Sequence, residues 1–501
     1  MNLKWSLSLV LILWISSIQL IAQTNKSENN VNYKIGFSTY FAQIDDFGPA
    51  FEIFTDQKGN IYVSGNTMDK NYPVTQNAYQ KELKGDADAF VAKFSPEGKL
   101  VYSTLIGGSK REHHTGLTVD KDGCAYLVGG THSSDFPVTP NTYDTSFNGE
   151  KDWGGDVYLI KLNPSGSDIV FSTFIGGLAQ ETADVVHVDA KGNVLIGGCT
   201  GSSDFPVTNN AFDKQFRGFE AFLAKFSPDG QKLLFSTFIG GSENESLTSI
   251  TTDAECNVYA AGYTRSNDWP LTQNALRKHG ENIKDSEWWK GTDNYLVKLD
   301  EEGSNLIYSS YIGGKSRPVQ SLRWFAPNKL LLAGNTNSQS FSITKKAFSK
   351  DNKGDRDGFI SVFNSEEMKL EYSTLFGGNQ YDFISSAFFL KNGQIVIGGE
   401  TNSPDFPLTG NALDSVYPVT DSTYNSGFFG KRKFFISIID IENNQFIYSS
   451  FLYGNKRLSI YPDEKGNIGF LIETDMTNFP VNGNAIQKTP TSFVVGQLSR
   501  K

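Results

Sequence analysis

The chain has few of the residues that announce chemistry. Five histidines and three cysteines are spread over 501 residues. There is no H-E-x-x-H, no G-x-S-x-G, no phosphate-binding glycine loop and no sialidase-type S-x-D-x-G-x-T-W box, so no familiar catalytic motif points to an enzyme. Cys124, Cys199 and Cys256 form an odd-numbered set at different places in the chain. They read as small buried thiols, with a single disulfide as the alternative. Basic charge is also short: 45 Lys and Arg stand against 55 Asp and Glu, a net charge of -10. An acidic surface repels phosphate backbones, which removes nucleic acid from the expected partners. No sustained 3.6-residue apolar period occurs beyond the N-terminus, which argues against a helical fold.

Long hydrophobic runs are confined to the first residues. Lys4 precedes a wholly apolar stretch from Leu9 to Ile15, and Leu20-Ile21-Ala22 offers a small residue at a cut. This reads as an export signal over residues 1–22. The stretch is shorter than the roughly 20 apolar residues of a membrane span, and no second such run follows. We therefore expect no transmembrane segment after cleavage. No cysteine lies near the cut, so a lipid anchor there is not expected, and the expected location is periplasm, cell surface or medium.

What the chain has in abundance is repetition. A threonine is followed five residues later by an aromatic in the pairs Thr67/Tyr72, Thr131/Phe136, Thr200/Phe205, Thr264/Trp269, Thr336/Phe341, Thr401/Phe406 and Thr474/Phe479. A register recurring about every 64 to 73 residues marks copies of one supersecondary unit. In the second copy, residues 117–120 alternate, Lys121-Asp122-Gly123 turns the chain, and residues 125–129 return. Residues 156–162 and 169–175 supply two more alternating runs around the turn Asn163 to Gly166. Each unit thus contributes four short antiparallel strands, A to D.

The third strand carries an aromatic at Phe90, Tyr158, Phe222, Tyr295, Phe359, Phe435 and Phe493, while the chain opens on a D strand and ends on a C strand. That offset predicts an all-β, seven-bladed β-propeller whose N-terminal strand completes the last blade, leaving no free edge. After residues 1–22 and a short linker, 23–32, residues 33–501 form this single domain.

The residues also resemble a known family. FSTFIGG (171–177), the D-x-x-G-N turn from Asp189 to Asn193, SSDFPVT (133–139) and the strand DAFVAK (88–93) are similar to the SBBP repeat, the seven-bladed β-propeller repeat of bacterial exported proteins. The likeness covers about residues 33 to 499. Some copies depart from it: Phe325 and Leu390 stand at the turn aspartate, Ser342 at the proline, and Tyr453-Gly454 at the Gly-Gly. The resemblance implies a fold and an exported location, and brings no catalytic residues with it.

Residues that recur in every blade serve what every blade needs; a ligand site draws on residues that break the repeat. The aromatic-proline pairs therefore read as packing. Asp56, Asp120, Asp189, Asp253 and Asp463, before the A-to-B turns, read as acceptors for turn amides rather than as calcium ligands, because no one loop gathers enough oxygens. No metal or cofactor is expected. A second set of acids follows the D strands: Asp46, Glu112, Glu181, Glu245 and Asp382. They are placed in the D-to-A loops near one channel mouth, where they either converge on a cation or each bond their own loop. The neighbouring His113-His114 pair is placed in such a loop as well, and His187 on an A strand.

The B-to-C connections of blades two, four and six are enlarged, and their extra residues include Trp153, Trp288, Trp289, Tyr417, Tyr424, Phe428 and Phe429. Exposed rings there suit a sugar face or a protein hot spot; folded back, they cover the blade edges. The leading expectation is a monomeric, non-catalytic binding module for an extracellular glycan or an envelope protein. A polysaccharide hydrolase or lyase using channel-mouth carboxylates is the alternative, and a purely structural envelope component is the third.

Overall fold

A computed structural model describes residues 31–41, 51–149, 155–280, 292–313, 319–354, 356–417, 432–454, 456–474, 479–481, 485 and 493–501. The chain begins with β1 (Tyr33–Tyr40), which is held back for the last blade. Blade one is β2 (Glu52–Thr55), β3 (Ile61–Thr67), β4 (Asp88–Phe94) and β5 (Leu100–Ile106). Blade two is β6 (Glu112–Val119), β7 (Ala125–Thr131), β8 (Asp156–Leu162) and β9 (Ile169–Ile175). Blade three is β10 (Glu181–Val188), β11 (Val194–Thr200), β12 (Glu220–Phe226) and β13 (Leu233–Ile239). Blade four is β14 (Glu245–Thr252), β15 (Val258–Thr264), β16 (Asp293–Leu299) and β17 (Leu306–Tyr311). Blade five is β18 (Ser321–Phe325), β19 (Lys329–Thr336), β20 (Asp357–Asn364) and β21 (Lys369–Phe376). Blade six is β22 (Asp382–Phe389), β23 (Ile395–Thr401), β24 (Lys433–Asp440) and β25 (Gln445–Leu452). The last blade is β26 (Arg457–Pro462), β27 (Ile468–Glu473) and β28 (Phe493–Arg500), with β1 paired to β28.

Each sheet is a four-stranded antiparallel meander, and the innermost strands β2, β6, β10, β14, β18, β22 and β26 touch in sequence until β26 meets β2. The protein is a seven-bladed β-propeller. Its closure is the expected one: β1 runs antiparallel to β28 from Tyr33↔Arg500 to Tyr40↔Val494, and Phe41 N–H donates to Phe493 O at 3.0 Å.

Seven hydrophobic clusters hold the ring, each drawn from two neighbouring blades. Both faces of a sheet therefore meet apolar neighbours. The alternation read from the sequence does not separate core from solvent here: β3, β11 and β12 are buried along their whole length. The inner strands are sheet edges, with one row of backbone groups unpaired by their own blade. Hydroxyls of the preceding blade satisfy some of them: Ser249 Oγ accepts from Leu322 N–H at 3.1 Å, and Ser321 Oγ from Ala387 N–H at 2.9 Å.

The A-to-B turns are capped as expected. Asp56 Oδ1 accepts from the amides of Lys58 and Asn60 at 2.9 and 2.8 Å, and Asp189 repeats the pattern with Lys191 and Asn193. Gly59 and Gly192 close these turns at φ 82° and 84°, and Cys256 takes that conformation in blade four at φ 68°. All three cysteines are free and buried.

The A strands correct one expectation. They begin earlier than the alternating pattern suggested, at the acids themselves, so Glu112, Glu181, Glu245 and Asp382 are strand residues and not loop residues. His113 and His114 likewise lie on β6; His114 is buried, with its Nε2 2.7 Å from Ser64 Oγ. The polar residues hid the strand because they face hydrogen-bonding partners in the interior.

Candidate functional site

The sevenfold threonine-aromatic register builds each blade's B-to-C corner. The loop aromatic stacks on the third-strand aromatic of its own blade: Phe136 on Tyr158 at 4.5 Å, Trp269 on Tyr295 at 4.1 Å and Phe406 on Phe435 at 4.3 Å between centroids. The threonine ties the loop to the acid. Thr131 Oγ1 donates to Glu112 Oε1 at 3.0 Å while accepting from Ser133 N–H at 2.9 Å, and Ser133 Oγ donates to the same carboxylate oxygen at 2.6 Å. Thr200 to Glu181 and Thr264 to Glu245 repeat this, and Ser403 donates to Asp382 at 2.8 Å. The four acids lie in four blades, each bonded to its own corner. Asp46 lies outside the described residues.

Each of these acids faces a second carboxylate at the start of the preceding blade's C strand. Glu112 Oε2 and Asp88 Oδ1 both lie 2.5 Å from where a Cβ on Gly107 would sit, which is why a glycine is needed there. Burial pushes Glu112 up to about 8, against the hydrogen bonds of Ser133 and Thr131, and Asp88 adds repulsion. Asp156 and Glu220 are pushed up to about 7 by burial, with Glu181 and Glu245 as their like-charged neighbours. These buried pairs belong to the joints between blades.

The residues that break the repeat are on the inner strands. Two positions before the A-to-B turn the seven blades carry Phe54, Thr118, His187, Thr251, Arg323, Phe388 and Tyr461; four before it they carry Glu52, Gly116, Val185, Ser249, Ser321, Ser386 and Ser459. All fourteen line the central channel, which holds a cavity of about 720 Å³ and, beside it, one of about 250 Å³. The larger opens among the turns at Asp120–Asp122 and Asp189–Gly192. That is the face opposite the B-to-C loops.

The ring is two-sided. Phe54, Tyr461 and Phe388 form a continuous aromatic arc, with centroids 4.6 and 4.5 Å apart, and the Arg323 guanidinium sits 4.8 Å over Phe388 at its end. Thr118, His187 and Thr251 supply the opposite, polar side. Two carboxylates also line the channel. Burial raises Glu52 to about 7, with Arg323 pulling the other way, and raises Asp184 to about 6 against a hydrogen bond from Ser246 at 3.1 Å. These side chains are only half-buried by surface area, since they touch the channel space. His187 is pushed down to about 4, first by burial and then by the Arg323 charge, and its Nε2 is 3.0 Å from Thr252 Oγ1.

Of the aromatic residues picked from the enlarged loops, Tyr417 is described: its hydroxyl donates to Asn402 O at 2.9 Å and its ring packs 5.9 Å from Phe451, so it folds onto its own blade. Trp153, Trp288, Trp289, Tyr424, Phe428 and Phe429 lie outside the described residues. Sequence reading did not single out Glu52, Asp184, Arg323, Phe388 or Tyr461. The signal was present: aligned on the turn, the copies are apolar at the core position three before it and diverge at the position two before it, while four before it serine occurs in four of the seven.

No family model and no curated protein matches the chain. Among solved structures it is similar to the WD40 β-propeller domain of Doa1 (10% identity, 93% of this chain and 97% of that chain, TM-score 0.45) and to the Dos1 propeller (12% identity, 93% and 94%, TM-score 0.42). It is also similar to a protein of unknown function from Dyadobacter fermentans (12% identity, 76% and 97%, TM-score 0.38). The strand order and register given above carry the propeller assignment. No helix among the described residues is long and apolar enough to cross a membrane.

Proposed function

We propose that this chain is an exported propeller of the SBBP-repeat kind that acts as a binding module at the cell surface or in the periplasm, taking its ligand into the central channel. One observation carries the reading: in a scaffold that repeats its corners and joints blade after blade, the channel position two before the turn carries five residue types over the seven blades, and two half-buried rings, an arginine and two carboxylates line one cavity. Cavities of some 300 to 1,000 Å³ with convergent polar groups are the usual form of a ligand site. The signal-like residues 1–22 and the SBBP resemblance support the exported location.

The test is a glycan and protein pull-down from the native envelope fraction, run with the wild type and with Thr118→Trp, which fills the cavity with an indole. The proposal expects a component retained by the wild type and lost by the variant. Equal retention by both would remove the channel from the binding site.

A second reading is favoured by Glu52 and Asp184, whose raised pKa values suit a general acid and base near neutral pH. On that reading the channel turns over a polysaccharide. Hydrolysis of a polysaccharide panel that is abolished in Glu52→Gln would establish it over the binder.

A further inference from the structure

The polar groups of the channel are matched in an unusual way. Arg323 donates Nη1–H to its neighbour's carbonyl, Leu322 O, at 3.0 Å, and its Nε–H is buried without a hydrogen-bond partner. It forms no ion pair within 4.0 Å among the described residues. Glu52, close enough for the arginine charge to act on its carboxyl, makes no hydrogen bond and no ion pair among the described residues either. A donor and an acceptor therefore stand near each other, both unmet by the protein. Leaving the Arg323 Nε–H desolvated and unpaired is costly, and Glu52 faces the channel space beside it, so a native site that keeps both is prepared for a partner carrying both kinds of group.

Charge narrows the partner. An anion that reaches Arg323 also meets Glu52 and Asp184; a cation that reaches those carboxylates also meets Arg323. A ligand without net charge, bearing hydroxyls that donate to one side and accept from the other, satisfies all three. The half-buried rings of Phe54 and Tyr461 add a requirement, since they present ring surface to the cavity that an apolar ligand face covers. Size adds another: a cavity of about 720 Å³ admits a small molecule or a chain end and no folded domain. An uncharged molecule with hydroxyls around its rim and a C–H face is a sugar.

We infer that the channel binds the end of a neutral carbohydrate, with hydroxyls shared between Glu52, Asp184 and Arg323 and a sugar face laid on the rings of Phe54 and Tyr461. This rests on the channel being the binding site.

The test is calorimetric titration of the full chain with a panel of neutral oligosaccharides, matched uronic-acid oligosaccharides and short peptides. Saturable heat with a neutral member is expected, weakened about tenfold in Glu52→Gln and in Tyr461→Leu, the size of one lost hydrogen bond to a charged group or one lost ring contact. Thr118→Trp reads the same loss if either of those variants fails to fold. Saturable binding of only the uronic-acid or peptide members, abolished by Thr118→Trp, overturns the carbohydrate assignment and leaves the channel site standing. Neutral sugar binding that all three variants retain overturns the inference and the channel site together. No binding by any member of the panel overturns the carbohydrate assignment, and the envelope pull-down with Thr118→Trp then decides the channel by itself.

Discussion

Thr264 Oγ1 lies 2.6 Å from Glu245 Oε1, and through that contact a loop is fastened to the first residue of an inner strand 19 positions earlier in the chain. The same threonine oxygen accepts from Ser266 N–H at 2.9 Å. One hydroxyl thus satisfies a buried carboxylate and orders the corner that carries Trp269. Thr264→Val keeps the shape and removes the donor and acceptor together. It is expected to lower stability by about 1 to 3 kcal/mol, the cost of an unmet buried polar group, read as a lower melting temperature with channel binding unchanged.

Trp269 is the bulkiest member of the stacked series. It lies 4.1 Å from the Tyr295 ring and its Nε1–H donates to Ser309 Oγ at 2.8 Å. Trp269→Ala opens a cavity between strand and loop, and a loss of about 3 to 5 kcal/mol is expected from denaturant unfolding. A loss under about 1 kcal/mol would mean that the ring is not packing the blade.

The carboxylate pairs make stability depend on pH. Glu112 is raised from an ordinary 4.5 to about 8, chiefly by burial. Between those values the folded chain holds a proton that the unfolded chain has released, so stability falls as pH rises. The contribution is fully present below about 4.5 and is lost above about 8. Glu112→Gln is neutral throughout and is expected to flatten the decline of melting temperature from about pH 5 to about pH 9. A variant curve parallel to the wild type would contradict the assignment.

Closure of the ring depends on close packing where β28 passes between β27 and β1. A Cβ on Gly496 would run into the Phe470 ring and approach Phe37 O. Gly496→Val is expected to destabilise by about 1 to 3 kcal/mol through overpacking, and hydrogen exchange in β1 should rise first as its pairing partner is pushed aside. Unchanged protection of Ser38 to Tyr40 would contradict the account.

The propeller and its shared last blade were legible because they rest on periodic features: turn residues, a C-strand aromatic in every unit, and a chain that opens on D and closes on C. The start of each A strand was not, since residues such as Glu112, Thr115 and His114 look like loop and become strand only when their polar atoms are met, Glu112 by its own corner and Thr115 and His114 by partners across the blade joint. The channel is legible only across copies. Phe388 and Tyr461 sit in unremarkable local sequence; only the alignment of seven inner strands on their turns shows that five residue types share that position. Long loops rich in tryptophan stand out more readily, because their length is visible without any knowledge of which strand lines the hole.

Those two places can be told apart directly. Hydrogen–deuterium exchange on the full chain, with and without the envelope component it captures, reads the inner strands and the B-to-C loops in one experiment. The account predicts protection in residues 184–191, 320–324 and 459–462 around the cavity. Protection confined to the loops between Thr264 and Asp293 and between Thr401 and Lys433, with the inner strands unchanged, would contradict it.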